Sequence, residues 1–365
     1  MPALRVLGLM SGSSLDGLDL ALCRFELDTA HPAAPVRGWG IERAATLPFS
    51  EQWVARLTHL PAQSGLVLAK TNTYFGHYLA ELVQTFLATE GTPPDLIASH
   101  GHTVYHEPHK RFSVQIGDGA ALAALTRLPV ACDFRTQDVA LDGEGAPLAA
   151  LADRLLFPGS QAYLNLGGIA NLSIHRLGKP VVAFDVTGAN QLLNPLAQLA
   201  GLPYDADGAL AASGQIVPSL LTALNEAAYF AQAPPKSLSN QWVQQTLVRP
   251  LLQAEASSLP DRLRTAVAHT VQQLRAALIR DQADFERPQL LITGGGAHNT
   301  FLIERLRAAV PQWIIVVPDE QTVDFKEAAL MALMGALRWY DLPNVDASAT
   351  GAQRATCSGA LHASH

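Results

Sequence analysis

Three segments of this sequence place acidic or turn-forming residues where phosphate binding, proton transfer or metal binding would use them. The first is Met10-Ser11-Gly12-Ser13-Ser14-Leu15-Asp16-Gly17. A tight turn rich in Gly and Ser exposes backbone N–H groups and hydroxyls that can wrap phosphate oxygens, and Asp16 adds a carboxylate suited to hydrated Mg2+. The same composition also makes a plain hairpin turn, which is the commoner use of such residues. No Gly-Lys-Ser/Thr follows, so the segment is not a P-loop. The second is Ala183-Phe184-Asp185-Val186-Thr187-Gly188. An Asp at the end of an apolar strand lies where open α/β sheets bind ligands, and it can serve as general base or metal anchor. A helix N-cap is the alternative role. The third is Gly294-Gly295-Gly296-Ala297-His298-Asn299. Successive glycines let a backbone pass close to a flat ligand, and the helix that follows favours negative charge at its start. A tight strand-to-helix connection explains it equally well.

Other reactive side chains are less organised. His100, His102, His106 and His109 lie close in sequence, but no Cys or carboxylate set completes a tetrahedral site, so no metal is assigned to them. Ser11, Ser13 and Ser14 lack the Gly-x-Ser-x-Gly elbow of a nucleophile. Arg135 can clamp a carboxylate or phosphate, or simply sit at the surface.

The elements that must hold these groups alternate between strands and helices. Leu4–Leu9 and Leu18–Leu27 read as strands around the first turn, and Ala162–His175 repeats the strand, turn, strand pattern around Gly167-Gly168. Two such units suggest a duplicated domain. Helices are expected over 72–89, 119–127, 263–280, 300–309 and 325–340. Strands are expected over 95–99, 129–131, 290–293 and 313–317, with 99–103 as a polar loop and 142–147 as a Gly-rich linker. This alternation predicts a mostly parallel, layered α/β fold. Residues 344–365 are small and polar, and either pack on the body or fray.

Composition narrows the function classes. At 365 residues the chain has room for two domains, and 48% hydrophobic with 16% charged residues excludes a disordered chain. Lys and Arg number 25 against 32 Asp and Glu, a net charge of −7, which disfavours nucleic acid. An anionic nucleotide would need backbone N–H groups and a metal ion to supply the positive field. Cys23, Cys132 and Cys357 are too few and too scattered for a disulfide framework or a zinc site. The first ten residues lack an export signal, and no apolar run reaches membrane-spanning length, so a cytoplasmic protein without a membrane partner is expected.

Taken together the segments resemble a known family. Gly8-Leu9-Met10-Ser11-Gly12-Ser13-Ser14-Leu15-Asp16-Gly17 is similar to the N-terminal signature of the anhydro-N-acetylmuramic acid kinases. Ser99-His100-Gly101-His102-Thr103, Asp133-Phe134-Arg135, Gly145-Ala146-Pro147-Leu148 and Asn165-Leu166-Gly167-Gly168-Ile169-Ala170-Asn171-Leu172 follow in that family's order. So do Pro203-Tyr204-Asp205 with Asp207-Gly208, Pro234-Pro235-Lys236-Ser237, Gly294–Asn299 and Glu327-Ala328. The resemblance runs from residue 8 to about residue 335.

It implies two RNase H-like domains of the sugar kinase, actin and heat-shock chaperone ATPase superfamily, with ATP in an interdomain cleft. The domains are expected at 1–135 and 136–341, with 342–365 a candidate to join the first. It implies ATP-dependent phosphorylation of 1,6-anhydro-N-acetylmuramic acid with hydrolytic opening of the anhydro ring. In that scheme Asp185 is the general base. Gly12, Ser13, Ser14, Leu15, Asp16, Gly17, Leu18 and Asp19 cradle the ATP phosphates with Mg2+. Gly167, Gly168, Gly294, Gly295, Gly296, His298 and Asn299 border the nucleotide, and Arg135 and Glu327 bind the sugar. A homodimer is compatible with the sequence. The chain departs from the family pattern after the base, where Asp185-Val186-Thr187-Gly188-Ala189-Asn190 replaces Asp-Thr-Gly-Pro-Gly-Asn. Asn194 stands for a later Asp, His102 for Gln and Ser13 for Thr. The alternatives are a nucleotide-gated binding or ATPase protein of the same superfamily, or a kinase for a related sugar.

Overall fold

The central strands are apolar on both faces, and this dictates layers on both sides of the sheet. In the first strand Leu4 and Val6 point into one core, and Leu7 and Leu9 into another. A computed structural model describes residues 3–12, 15–176, 179, 181–234, 236–280 and 286–364. The chain divides into two units, Met1–Pro158 with Phe325–His365, and Gly159–Asp324.

In the first unit, strands β1 (Ala3–Ser11), β2 (Gly17–Leu27) and β3 (Val36–Pro48) form an antiparallel meander. Strand β4 (Leu96–Glu107) pairs parallel with β1, β5 (Phe112–Ile116) pairs antiparallel with β4, and β6 (Val130–Cys132) pairs parallel with β4. The C-terminal strand Ala360–His362 pairs antiparallel with β6 and completes the sheet. Phe75, Leu79, Val83 and Phe86 of the helix Gly65–Leu87 cover Leu7 and Leu9. Residues 328–337 of the helix Glu320–Trp339 cover Leu4 and Val6. A Cβ on Gly8 would lie 1.9 Å from the Ala328 carbonyl oxygen, so only glycine lets this helix approach β1.

In the second unit β7 (Ala162–Leu166), β8 (Ile169–Ile174) and β9 (Val182–Gly188) form a second antiparallel meander. Strand β10 (Gln289–Thr293) pairs parallel with β7, and β11 (Ile314–Val316) pairs parallel with β10. The order β9-β8-β7-β10-β11 repeats β3-β2-β1-β4-β6 of the first unit, direction for direction. The helix Leu259–Arg280 supplies Leu263, Val267, Leu274 and Leu278 to the core beneath this sheet. Each such buried Leu contributes about 1.5–3 kcal/mol over an exposed one.

Several expectations are revised. Residues 99–103 are not a loop: β4 runs through them, with Gly101 at φ +69 and its chain paired to β5. Asp185 lies inside β9 rather than at a strand end, because β8 pairs with residues on both sides of it. The expected break after residue 135 falls within the first unit, since Leu151, Leu155 and Leu156 of the helix Ala149–Leu156 share a core with Leu333 and Leu337. The C-terminal stretch is ordered through 364, with Asn344 buried and bonded to Ser358 in both directions.

Candidate active site

The residues expected to form the phosphate turn and to bind the sugar fall in the first unit. Gly12, Leu15 and Asp16 lie between β1 and β2, whereas Ser13 and Ser14 lie outside the described residues. Leu15 adopts φ 58, and its N–H reaches the Gly12 carbonyl at 3.5 Å. Gly17 is required sterically: a Cβ there would sit 2.5 Å from the Leu47 carbonyl oxygen on β3. Leu18 is buried in the core, so its backbone alone can face a ligand. Asp19 ties β2 to β3 by accepting the Thr46 hydroxyl at 2.6 Å.

Arg135 follows Asp133, whose φ of 60 turns the chain out of β6. Its Nε donates to Nε2 of His100 at 3.0 Å, and its Nη1 donates to the Gly145 carbonyl at 2.9 Å. His100 Nδ1 in turn donates to the Gly101 carbonyl at 3.0 Å, which makes Nε2 the acceptor and the ring neutral. Burial, and then the Arg135 charge, hold His100 down to about 3. Burial lowers the Arg135 guanidinium, and the Glu327 carboxylate pulls it back up. Arg135 and Glu327 are therefore electrostatic neighbours. His102 pairs with the buried Ser11 hydroxyl at 3.1 Å, at the end of β1. A cavity of about 400 Å³ opens beside these strands, lined by Asn72, His100, Asp118, Cys132, Asp133 and His362 among others.

The second unit carries Asp185. Asn171 on β8 donates to Oδ1 at 2.8 Å, and the Leu238 N–H donates to Oδ2 at 2.8 Å. The backbone is held as well: the Asp185 N–H reaches the Lys236 carbonyl at 3.2 Å, and Tyr229 donates its hydroxyl to the Asp185 carbonyl at 2.6 Å. Burial, and then Asp185, push the Tyr229 hydroxyl up, so it stays protonated as a donor. Lys236 donates to the Tyr229 carbonyl at 3.1 Å and lies over its ring, and burial followed by Arg280 lowers its ammonium. The result is a carboxylate fixed in position with each oxygen already accepting one bond, which leaves lone pairs for a water proton.

Gly295, Gly296, His298 and Asn299 line a cavity of about 560 Å³ together with Asn190, Tyr204 and several carboxylates. Gly294 closes the end of β10 at φ +81, and a Cβ there would meet the Asn165 carboxamide oxygen at 2.2 Å. Asn299 caps the helix Thr300–Ala309 by accepting the Leu302 N–H at 2.9 Å. His298 pairs with Asp324 at 2.7 Å. Neither Gly167 nor Gly168 lines the cavity: their carbonyls accept the N–H groups of Ala189, Asn190 and Gln191. The turn thus anchors the start of the helix Asn190–Gln198.

Sequence reasoning missed several of these groups. Asn171 stood within a quoted motif but received no role, while Tyr229 and the Leu238 amide left no signal in the sequence. Asn190, Asp207, Glu320 and Asp324 join the glycines only through the folding of the second unit.

Two units with one shared strand order define a duplicated α/β fold, one unit carrying the Asp185 carboxylate held by Asn171 and the other the Arg135 guanidinium held by Gly145. The family model for anhydro-N-acetylmuramic acid kinase matches residues 4–364. The anhydro-N-acetylmuramic acid kinase of Aliivibrio fischeri is 33% identical over 372 residues, covering 98% of this chain and 99% of its own. That of Pseudomonas fluorescens is 34% identical, with 98% of each chain covered. That of Methylobacterium nodulans is 34% identical over 95% of this chain and 96% of its own. The chain belongs to the anhydro-N-acetylmuramic acid kinase family.

Proposed function

We propose that the protein transfers the γ-phosphoryl group of ATP to 1,6-anhydro-N-acetylmuramic acid while water opens the anhydro ring. The observation that carries this reading is the family match across residues 4–364. Asp185 takes a proton from the water that attacks C1, the C1–O6 bond breaks, and O6 attacks the γ-phosphorus with ADP as leaving group. The products are N-acetylmuramic acid 6-phosphate and ADP. Positioning and charge stabilisation do most of the work in such a transfer.

Support for Asp185 as the base is its immobilisation by Asn171 and Leu238, which holds the carboxylate in one orientation. The segment 12–19, the turn and the first residues of β2, receives the phosphates, and the cavity edged by Gly295, Gly296, His298 and Asn299 receives the nucleoside. The carboxylates on that cavity suit ribose hydroxyls rather than phosphate oxygens. Arg135 pairs with the lactyl carboxylate of the sugar, and Glu327 accepts a sugar hydroxyl. Bound Mg2+ supplies charge neutralisation on the phosphates, and Asp16 and Asp19 are the carboxylates that would hold it. Among the described residues no helix is long and apolar enough to cross a membrane.

The test is ADP release with ATP, Mg2+ and the anhydrosugar. The reading expects release to depend on the sugar and to drop about 10²–10⁴-fold in Asp185→Asn. Equal release with and without sugar overturns it.

A further inference from the structure

The fully buried carboxylate of Asp138 joins two parts of the first unit that are remote in sequence. Its Oδ2 accepts the Gly145 N–H at 2.8 Å. Its Oδ1 accepts the hydroxyl of buried Thr350 at 2.8 Å, across a separation of 212 residues. The same two segments are stitched by backbone bonds: Glu144 N–H to the Thr350 carbonyl at 2.8 Å, and Gln353 N–H to the Leu141 carbonyl at 3.0 Å. The loop wraps the carboxylate tightly, since a Cβ on Gly143 would lie 2.2 Å from Asp138 Oδ2.

Gly145 also faces the sugar clamp. Its carbonyl accepts Arg135 Nη1 at 2.9 Å, while Arg135 Nε donates to His100 at 3.0 Å. These two anchors, on different edges of the guanidinium, fix its plane and leave its remaining donors for a ligand. Thr350, Asp138, Gly145 and Arg135 thus form one unbroken chain of hydrogen bonds.

We propose that Thr350 is a positioning residue for Arg135, so that the C-terminal segment sets the orientation of the sugar clamp. The proposal rests on Arg135 as a sugar-binding residue. Replacing Thr350 by Val keeps the shape but removes the donor to Oδ1. The freed carboxylate then loosens the 143–145 loop, and the guanidinium loses a fixed plane. Binding of the anion-bearing sugar suffers, while the nucleotide, held by other residues, does not.

The experiment compares full-length wild type, Thr350→Val and Thr350→Ser. Expected are a sugar KM raised about tenfold in Thr350→Val, an ATP KM within twofold of wild type, and recovery in Thr350→Ser, which keeps the hydroxyl. An unchanged sugar KM, sugar and ATP KM values rising together, or no recovery in Thr350→Ser overturns the proposal. Hydrogen exchange at the Gly145 amide gives a readout independent of turnover. Faster exchange in Thr350→Val, restored in Thr350→Ser, supports the link, and equal exchange in all three overturns it. A wild type inert toward the anhydrosugar would instead sink the functional reading, with the exchange result still deciding the link.

Discussion

Asn171 and Asp185 face each other across the β8–β9 ladder, and the Asn171 carboxamide donates to Asp185 Oδ1 at 2.8 Å. The pair continues the register of Leu172 with Phe184, Ser173 with Ala183 and Ile174 with Val182, and the ladder shifts only beyond it, between Asn171 and Ala170. A one-residue slip of that ladder would turn the side chains to the other face and separate the donor from the carboxylate.

Removing that donor is expected to impair turnover more than binding. Asn171→Ala should lower kcat about tenfold to a hundredfold, as misplacement of a reacting group does, with little change in ATP KM. Steady-state kinetics check this, with circular dichroism confirming the fold.

The planar fork of Arg135 is used on two sides by His100 and Gly145. Lysine carries the charge but lacks the fork. Arg135→Lys is therefore expected to raise the sugar KM at least tenfold while ATP KM stays within about twofold. Initial rates over a matrix of both substrates measure the two constants separately.

Gly294 sits at φ +81 with the Asn165 side chain and the Leu166 backbone against it. Gly294→Ala combines a strained backbone with a clash, and a loss of about 1–3 kcal/mol is expected from the backbone alone. Denaturant unfolding reads the loss, and ATP affinity should weaken with it because the adjoining Gly295 and Gly296 line the cavity.

Two buried histidines give stability a defined pH dependence. Burial holds His269 down to about 3, and burial followed by Arg135 does the same for His100. Both lie below the unfolded value near 6.5, so the unfolded chain binds protons first as pH falls. Their contribution is intact above about pH 6.5 and is lost progressively toward pH 3. Each should cost on the order of 1–2 kcal/mol by pH 5. His269 sits between the Thr187 hydroxyl at 2.8 Å and the Asn225 carboxamide at 2.7 Å, and His269→Gln should flatten the slope of unfolding free energy against pH.

Much of the fold was legible because its signals are local. The apolar runs of β1, β7 and β10 and the Gly-rich turns after them lie in contiguous sequence, and the repeated strand, turn, strand pattern anticipated the first two strands of each meander. Strand β3 was missed because its residues are mostly exposed or half-buried and its composition, with Arg37, Glu42 and Arg43, carries no apolar alternation. The helix Gly65–Leu87 begins before the expected residue 72, since Ser64 caps it by accepting the Val67 N–H. Among the candidate site residues, Asp185, Arg135 and the 294–299 loop stand out by residue type and setting. Tyr229 and the Leu238 amide were not, because they reach Asp185 from a distant loop, one of them by backbone alone. The Thr350–Asp138 bond spans 212 residues and exists only once the chain end has packed. The bonds by which the Gly167 and Gly168 carbonyls hold a helix start leave no mark in the sequence.

The most direct test is to run the reaction in ¹⁸O-labelled water with ATP, Mg2+ and 1,6-anhydro-N-acetylmuramic acid, and to locate the label by mass spectrometry. The account predicts one ADP per sugar consumed, phosphate on O6, and ¹⁸O bonded to C1 of the product. Label appearing in inorganic phosphate, with the anhydro ring left closed, would contradict it.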